Sequence, residues 1–346
     1  MDAQRGIARR MVVGLPEGGL TPAWEKDFAH YPPAGVIVFA RDFAGLAELR
    51  ALTTHLRALA RPRRLFVAMD EEGGWVSQLA GHLVVPPNAA TLARGAPVTE
   101  LAWIAQVTAR RLRALGFDWN FAPVADVASR AENPVIGPRA YGSAPPAASA
   151  NVGAVLHGLR SGGVAACLKH FPGHGDTVLD SHLALPVCEA DAATLETREL
   201  VPFLANLEAP SVMTAHVLYP ALDREHPATF SRAILTGLLR DRLGYGGVTI
   251  TDSLEMQGAA AGRTPAAAAI AALEAGCDLL LFAKWTEEVR RTRLELARAL
   301  VEGRLERAAY DAGRPRLTAF AAAHREPVPD ELAAPLPSLT PPDWEG

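Results

Sequence analysis

The chain has 346 residues, of which 49% are apolar and 21% charged, the composition of a soluble globular protein with a sizeable core. With 34 basic against 38 acidic residues and no long basic block, it lacks the positive stripe that a nucleic-acid partner requires, and the pairs Arg9-Arg10 and Arg110-Arg111 read as solvated helix faces. Three cysteines, Cys167, Cys188 and Cys277, contain no CxxC pair and argue against a disulfide framework or a zinc knuckle.

The first fifteen residues hold only a short apolar run behind Arg9 and Arg10, without a signal-peptide core and cleavage site, so cytoplasmic residence is expected. No stretch approaches the ~20 apolar residues of a membrane span, so no membrane association is expected. Along the chain, short β-branched apolar runs bounded by Gly, Pro or Asp recur at 11–15, 35–39, 65–69, 119–122, 164–168, 211–215, 247–251 and 277–282. Segments of helical periodicity lie between them, among them 46–59, 101–115, 195–207 and the alanine-rich 265–275. Continuous apolar strands alternating with helices imply a parallel sheet covered by helices, and eight strands is the number that closes a barrel. The expected fold is therefore α/β, a single (β/α)8 TIM-type barrel over 1–325, followed by a loosely ordered, proline-rich C-terminal tail over 326–346. A doubly wound open sheet is the runner-up, and it lacks the G-x-G-x-x-G that a dinucleotide fold carries after its first strand. A monomer is expected.

Polar residues stand directly after the strands, where a barrel enzyme keeps its chemistry: Asp70, Asp126, Lys169 with His170, His216 and Asp252. The run from Lys169 to Thr177 is too rich in Gly and Pro to be helical, so it forms a shaped loop whose cation and imidazole can donate to substrate hydroxyls. His170 and His174 are four apart, but Pro172-Gly173 between them forbids the helix that a zinc pair at this spacing needs; no metal and no cofactor are expected. Asp180-Ser181-His182 sets a carboxylate two residues from an imidazole, an arrangement able to act as an acid/base unit. Asp252 can attack an anomeric carbon from the barrel mouth or simply cap the helix that follows. Asp70 and Arg139 can bind a polar ligand or form structural ion pairs.

Taken together, these segments resemble glycoside hydrolase family 3, in particular its short, single-domain bacterial β-N-acetylhexosaminidases. The resemblance is carried by Asp70-Glu71-Glu72-Gly73-Gly74, by Asn133 to Arg139, by Lys169-His170-Phe171-Pro172-Gly173-His174-Gly175 and by Asp180-Ser181-His182. Pro227 to Ser231 and Thr251 to Met256 complete it. It implies a retaining glycosidase with Asp252 as nucleophile, His182 backed by Asp180 as acid/base, and Asp70, Arg139, Lys169 and His170 as binders of the reacting sugar. The implied substrate is a carbohydrate carrying terminal β-N-acetylhexosamine, released from peptidoglycan fragments. A β-glucosidase or β-xylosidase specificity, a phosphorylase and a catalytically idle sugar-binding barrel are the alternatives. Two positions depart from the family pattern Gly-Gly-Arg-Val-x-Arg: Trp75 stands for the first arginine and Gln78 for the second, and an amide cannot replace a guanidinium's fork of donors.

Overall fold

Apolar runs of this kind have no polar face to turn toward water, so each must be covered on both sides, and parallel strands joined by helical crossovers supply that cover. The computed structural model describes residues 2–178, 185–256, 258 and 262–339. Its eight barrel strands are β1 Met11–Val13, β2 Gly35–Ile37, β3 Phe66–Met69, β4 Trp119–Asn120, β5 Ala165–Phe171, β6 Ser211–Thr214, β7 Val248–Ser253 and β8 Leu279–Phe282. All pair in parallel with their sequence neighbours, and β8 returns to β1 with Met11 opposite Leu280, which closes the sheet and excludes the open doubly wound alternative.

The two-residue period of the strands divides the core in two. Val12, Ile37, Ala68, Trp119, Cys167, Met213, Ile250 and Leu281 point inward and fill the barrel. Their alternates Met11, Val13, Val36, Val67, Met69, Leu168, Val212 and Leu280 pack outward against the helical shell. Expected and observed helices agree closely at Leu46–Ala60, Val98–Ala114 and Pro265–Ala275. The 195–207 segment departs from regularity: wide i→i+5 turns run over Leu195–Glu199, and a new α-helical stretch, Val201–Leu204, starts around Pro202, which has no N–H to continue the old one.

The bottom of the barrel is closed by the helix Arg314–Ala323, whose Phe320 ring lies 4.8 Å from Phe66 and 5.1 Å from Trp119. An ion cluster anchors that helix. Asp278, almost fully buried, accepts from Arg316 Nη2 at 2.7 Å, from Arg240 Nη2 at 2.9 Å and from the Thr249 N–H at 2.9 Å. Two of the arginines read as solvated are buried: Arg10 donates to the carbonyls of Asp278 and Tyr310, and Arg111 to those of Val84 and Pro337. The segment from 326 to 339 supplies one of these acceptors, the Pro337 carbonyl. It carries a short helix, Pro329–Ala333, whose Glu331 accepts from Arg113 at 2.6 Å, and Leu339 is buried. A buried carboxylate that anchors two guanidinium groups leaves both without their counter-charge when removed. Asp278→Ala therefore lowers stability by about 3–5 kcal/mol in urea unfolding, and the folded fraction keeps its chemistry, because the mutation lies at the end of the barrel opposite the strand-end carboxylates.

Candidate active site

At the C-terminal ends of β3, β5 and β7 a cleft of about 230 Å³ opens, lined by Asp70, Glu72, Val76, Val135, Arg139, Lys169, His170, His174, Met213, Asp252 and Leu281. It brings together five of the seven residues singled out in the sequence: Asp70, Arg139, Lys169, His170 and Asp252. Asp180 and His182 lie outside the described residues. A larger cavity, about 710 Å³, sits at the bottom of the barrel beside Val164, Pro210 and Val248, away from all of these groups.

The chain past β3 turns back as a small hairpin of Glu71–Gly73 and Val76–Ser77. Asn120, at the end of β4, fixes its start by accepting from the Glu71 N–H and donating to the Glu71 carbonyl, both at 3.0 Å. Alternation then sends Asp70 and Glu72 to the cleft and Glu71 away from it. Glu72 is the hub. Arg139 grips it bidentately at 2.9 and 2.8 Å, and the buried Lys169 ammonium lies 2.6 Å from both Glu72 Oε1 and Asp70 Oδ1. Burial alone would raise the Glu72 carboxyl, but Arg139 and Lys169 overcome it and hold the group at about 2. Burial likewise works against the charge on Lys169, and Asp70 and Glu72 outweigh it, raising the ammonium to about 12.

Lys169 and His170 are consecutive, yet both reach the cleft. The pairing of β5 with β6 slips between Leu168 and Phe171, and such an irregularity re-aims side chains. Buried Asp126 organises this turn: it accepts from the backbone N–H of His170 and of His174, the latter at 2.6 Å, and its Oδ2 lies 2.7 Å from His170 Nδ1. His174 reaches Thr177 Oγ1 at 2.9 Å, and Asn133 donates to the carbonyls of His174 and Gly175. Burial, reinforced by His170, brings the His174 imidazole down to about 4, so it stays neutral near pH 7.

Asp252 sits on β7 where its pairing with β8 is also irregular. One carboxylate oxygen accepts from the Ser253 N–H at 2.7 Å. Burial pushes the carboxyl up, but the His170 and His216 imidazoles, the Ser253 N–H and Lys169 together hold it below its ordinary value, so Asp252 is anionic. His216 donates from Nε2 to the Ser253 carbonyl at 3.0 Å and accepts at Nδ1 from Thr229 at 2.9 Å, which ties the strand end in place. An anionic oxygen beside a wall of paired charges, Lys169 with Asp70 and Arg139 with Glu72, suits attack on an electrophilic carbon of a polar ligand. Gln78 does not take up the role of the missing arginine: its Oε1 accepts from the Ala40 N–H at 2.9 Å, and it is not part of the cleft lining. Among the described residues no group of three His, Cys, Asp or Glu side chains could hold a metal ion, and no helix is long and apolar enough to cross a membrane.

Sequence reasoning passed over Glu72 as a functional residue, although its position two residues after Asp70 in an extended segment was the available signal. Asp126 and His216 were visible only as strand-end polar residues, without roles.

Residues 15–319 match the pattern described as "Glycosyl hydrolase family 3 N terminal domain". The chain is 40% identical over 296 residues to a β-hexosaminidase of Chromobacterium violaceum, covering 83% of this chain and 81% of that protein. Among solved structures, a family 3 β-N-acetylglucosaminidase from Paenibacillus superposes with a TM-score of 0.88 at 33% identity, covering 92% of this chain; the chain spans 62% of that protein's length. A glycosyl hydrolase of the same family from Mycobacterium smegmatis superposes with a TM-score of 0.84 at 34% identity, covering 92% of this chain and 97% of that one.

The ion cluster makes a pH-dependent prediction. A carboxyl whose folded pKa is depressed contributes stability above its unfolded pKa, about 4.3 for Glu, and loses it as pH falls through the folded value. Lys169→Met removes one of the two cations on Glu72 and leaves Arg139, so it costs about 2 kcal/mol at pH 7. In urea unfolding from pH 7 to pH 3 that penalty shrinks as the pH drops below about 4; a penalty independent of pH would contradict the assigned coupling.

Proposed function

The chain belongs to glycosyl hydrolase family 3, and from that premise we propose that it is a retaining β-N-acetylhexosaminidase that removes terminal non-reducing β-linked N-acetylhexosamine. The observation that carries the reading is Asp252: an aspartate held anionic on the wall of a cleft about the size of one sugar ring, opposite a fixed cluster of hydroxyl-binding charges.

In the proposed reaction the Asp252 carboxylate attacks the anomeric carbon, the glycosidic C–O bond breaks, and the departing oxygen takes a proton from the protonated His182 imidazole. The sugar is then an ester of Asp252. Water adds to the same carbon as neutral His182 takes its proton, Asp252 leaves as carboxylate, and the β configuration is restored. Asp180 orients His182. The roles of these two residues rest on the Asp180-Ser181-His182 motif and its likeness to the family's. Asp70, Arg139, Lys169 and His170 are assigned to the sugar at the reacting subsite. For Asp70 and Lys169 the support is direct lining of the cleft, and Arg139 acts there while paired with Glu72. We assign fragments of peptidoglycan as the source of the substrate, a cytoplasmic monomer as the working form, and residues 1–325 as the catalytic unit.

The test is chromophore release from an aryl β-N-acetylglucosaminide by the parent, Asp252→Ala and His182→Ala, with the first product's anomer read by proton NMR. The expected result is β product first, with both variants losing at least about 100-fold in kcat/KM. Activity that survives Asp252→Ala would overturn the reading. Sugar 1-phosphate formed in phosphate buffer in place of free sugar would make the enzyme a phosphorylase on the same residues.

A further inference from the structure

The hairpin that supplies Glu72 also carries the most exposed large apolar side chain among the described residues, Trp75, which is 77% exposed. An indole normally brings most of its area out of water, so one left open in the turn of a hairpin whose Glu72 and Val76 line a polar cleft is unusual. Its backbone is held on every side. Gly73 and Gly74 adopt φ of +95° and +53°, and a Cβ at Gly74 would stand 1.9 Å from Asn88 Oδ1. That same Asn88 oxygen accepts from the Trp75 N–H at 2.9 Å, and the Gly74 N–H donates to the Pro86 carbonyl at 2.8 Å. Below the tip, the buried Glu71 carboxyl is bonded by Ser77 Oγ at 2.5 Å, by the Gln78 N–H at 2.8 Å and by the Leu79 N–H at 3.2 Å.

The hairpin is therefore a rigid wall. Glu72 on one strand and Val76 on the other line the cleft, and Trp75 sits at the crest between them. A space of about 230 Å³ takes a single sugar ring and its substituents, so whatever is attached to that ring must leave across the rim. We propose that Trp75 is a stacking platform for the sugar on the leaving-group side of the scissile bond, and that it makes the enzyme prefer a saccharide to a small leaving group. The apolar C–H face of a pyranose matches an indole face, and a clamped backbone means that little conformational freedom is lost when the ring is engaged. The inference rests on the glycosidase reading above, which assigns Trp75 no role.

The experiment compares kcat/KM for the β-1,4-linked disaccharide of N-acetylglucosamine with that for methyl β-N-acetylglucosaminide, a substrate with no ring to stack. It uses the parent, Trp75→Ala, Trp75→Phe and Trp103→Ala, the last removing an exposed tryptophan of the outer helix Val98–Ala114. Trp75→Ala is expected to cut the preference for the disaccharide about ten-fold, chiefly through KM. Trp75→Phe keeps most of the preference, and Trp103→Ala leaves it unchanged. A preference within two-fold of the parent's in Trp75→Ala, or an equal loss on both substrates, would overturn the inference while the glycosidase reading stands. A parent that cleaves neither substrate would sink the glycosidase reading and this inference with it.

Discussion

The barrel mouth depends on one buried carboxylate, that of Glu72. Three segments far apart in sequence meet on it: the hairpin after β3, the loop that carries Arg139, and the end of β5 with Lys169. A buried anion is tolerable only when it is paired and hydrogen-bonded, and Glu72 has both a bidentate guanidinium and an ammonium. Because Lys169 is shared with Asp70, fixing Glu72 also fixes the Asp70 carboxylate on the cleft wall. Buried ion clusters contribute little net stability over an apolar alternative, so this one is better understood as a device that holds geometry.

Asp126 and His216 play the same part on the other flank. Asp126 gathers two backbone N–H groups and the His170 ring, while His216 ties the Ser253 carbonyl. Asp252 is thus kept ionised despite burial by groups already fixed around it: the His170 and His216 rings, the Ser253 N–H and Lys169. The bottom of the barrel answers to different demands. There Asp278, Phe320 and the arginines bonded to distant carbonyls close the structure, and the division of chemistry above from stability below is the usual one for this architecture.

Much of this was legible in the sequence, for a physical reason: a strand buried on both faces must be largely apolar, so all eight appeared as short, mainly apolar runs, most of them with β-branched residues. Asp70, Lys169, His170 and Asp252 were legible because each directly follows or ends such a run. Other features left no local trace. Arg10 and Arg111 look like surface arginines until Tyr310 and Pro337, hundreds of residues away, bring their carbonyls to them. The hairpin around Trp75 has strands too short to show a period, and its two glycines advertise only a turn. The wide turns at 195–199 depend on packing that propensity does not encode.

The proposed chemistry turns on whether Asp252 forms a bond to the sugar. The most direct measurement is intact-protein and peptide mass spectrometry after reaction with a fluorinated N-acetylglucosaminyl fluoride, which forms the glycosyl-enzyme faster than it is hydrolysed. The expected result is a mass increase of one glycosyl unit, localised to the peptide containing Asp252 and absent from Asp252→Ala. Turnover of the reagent with no adduct at any stage, as expected if the substrate's own N-acetyl group acts as nucleophile, would contradict it.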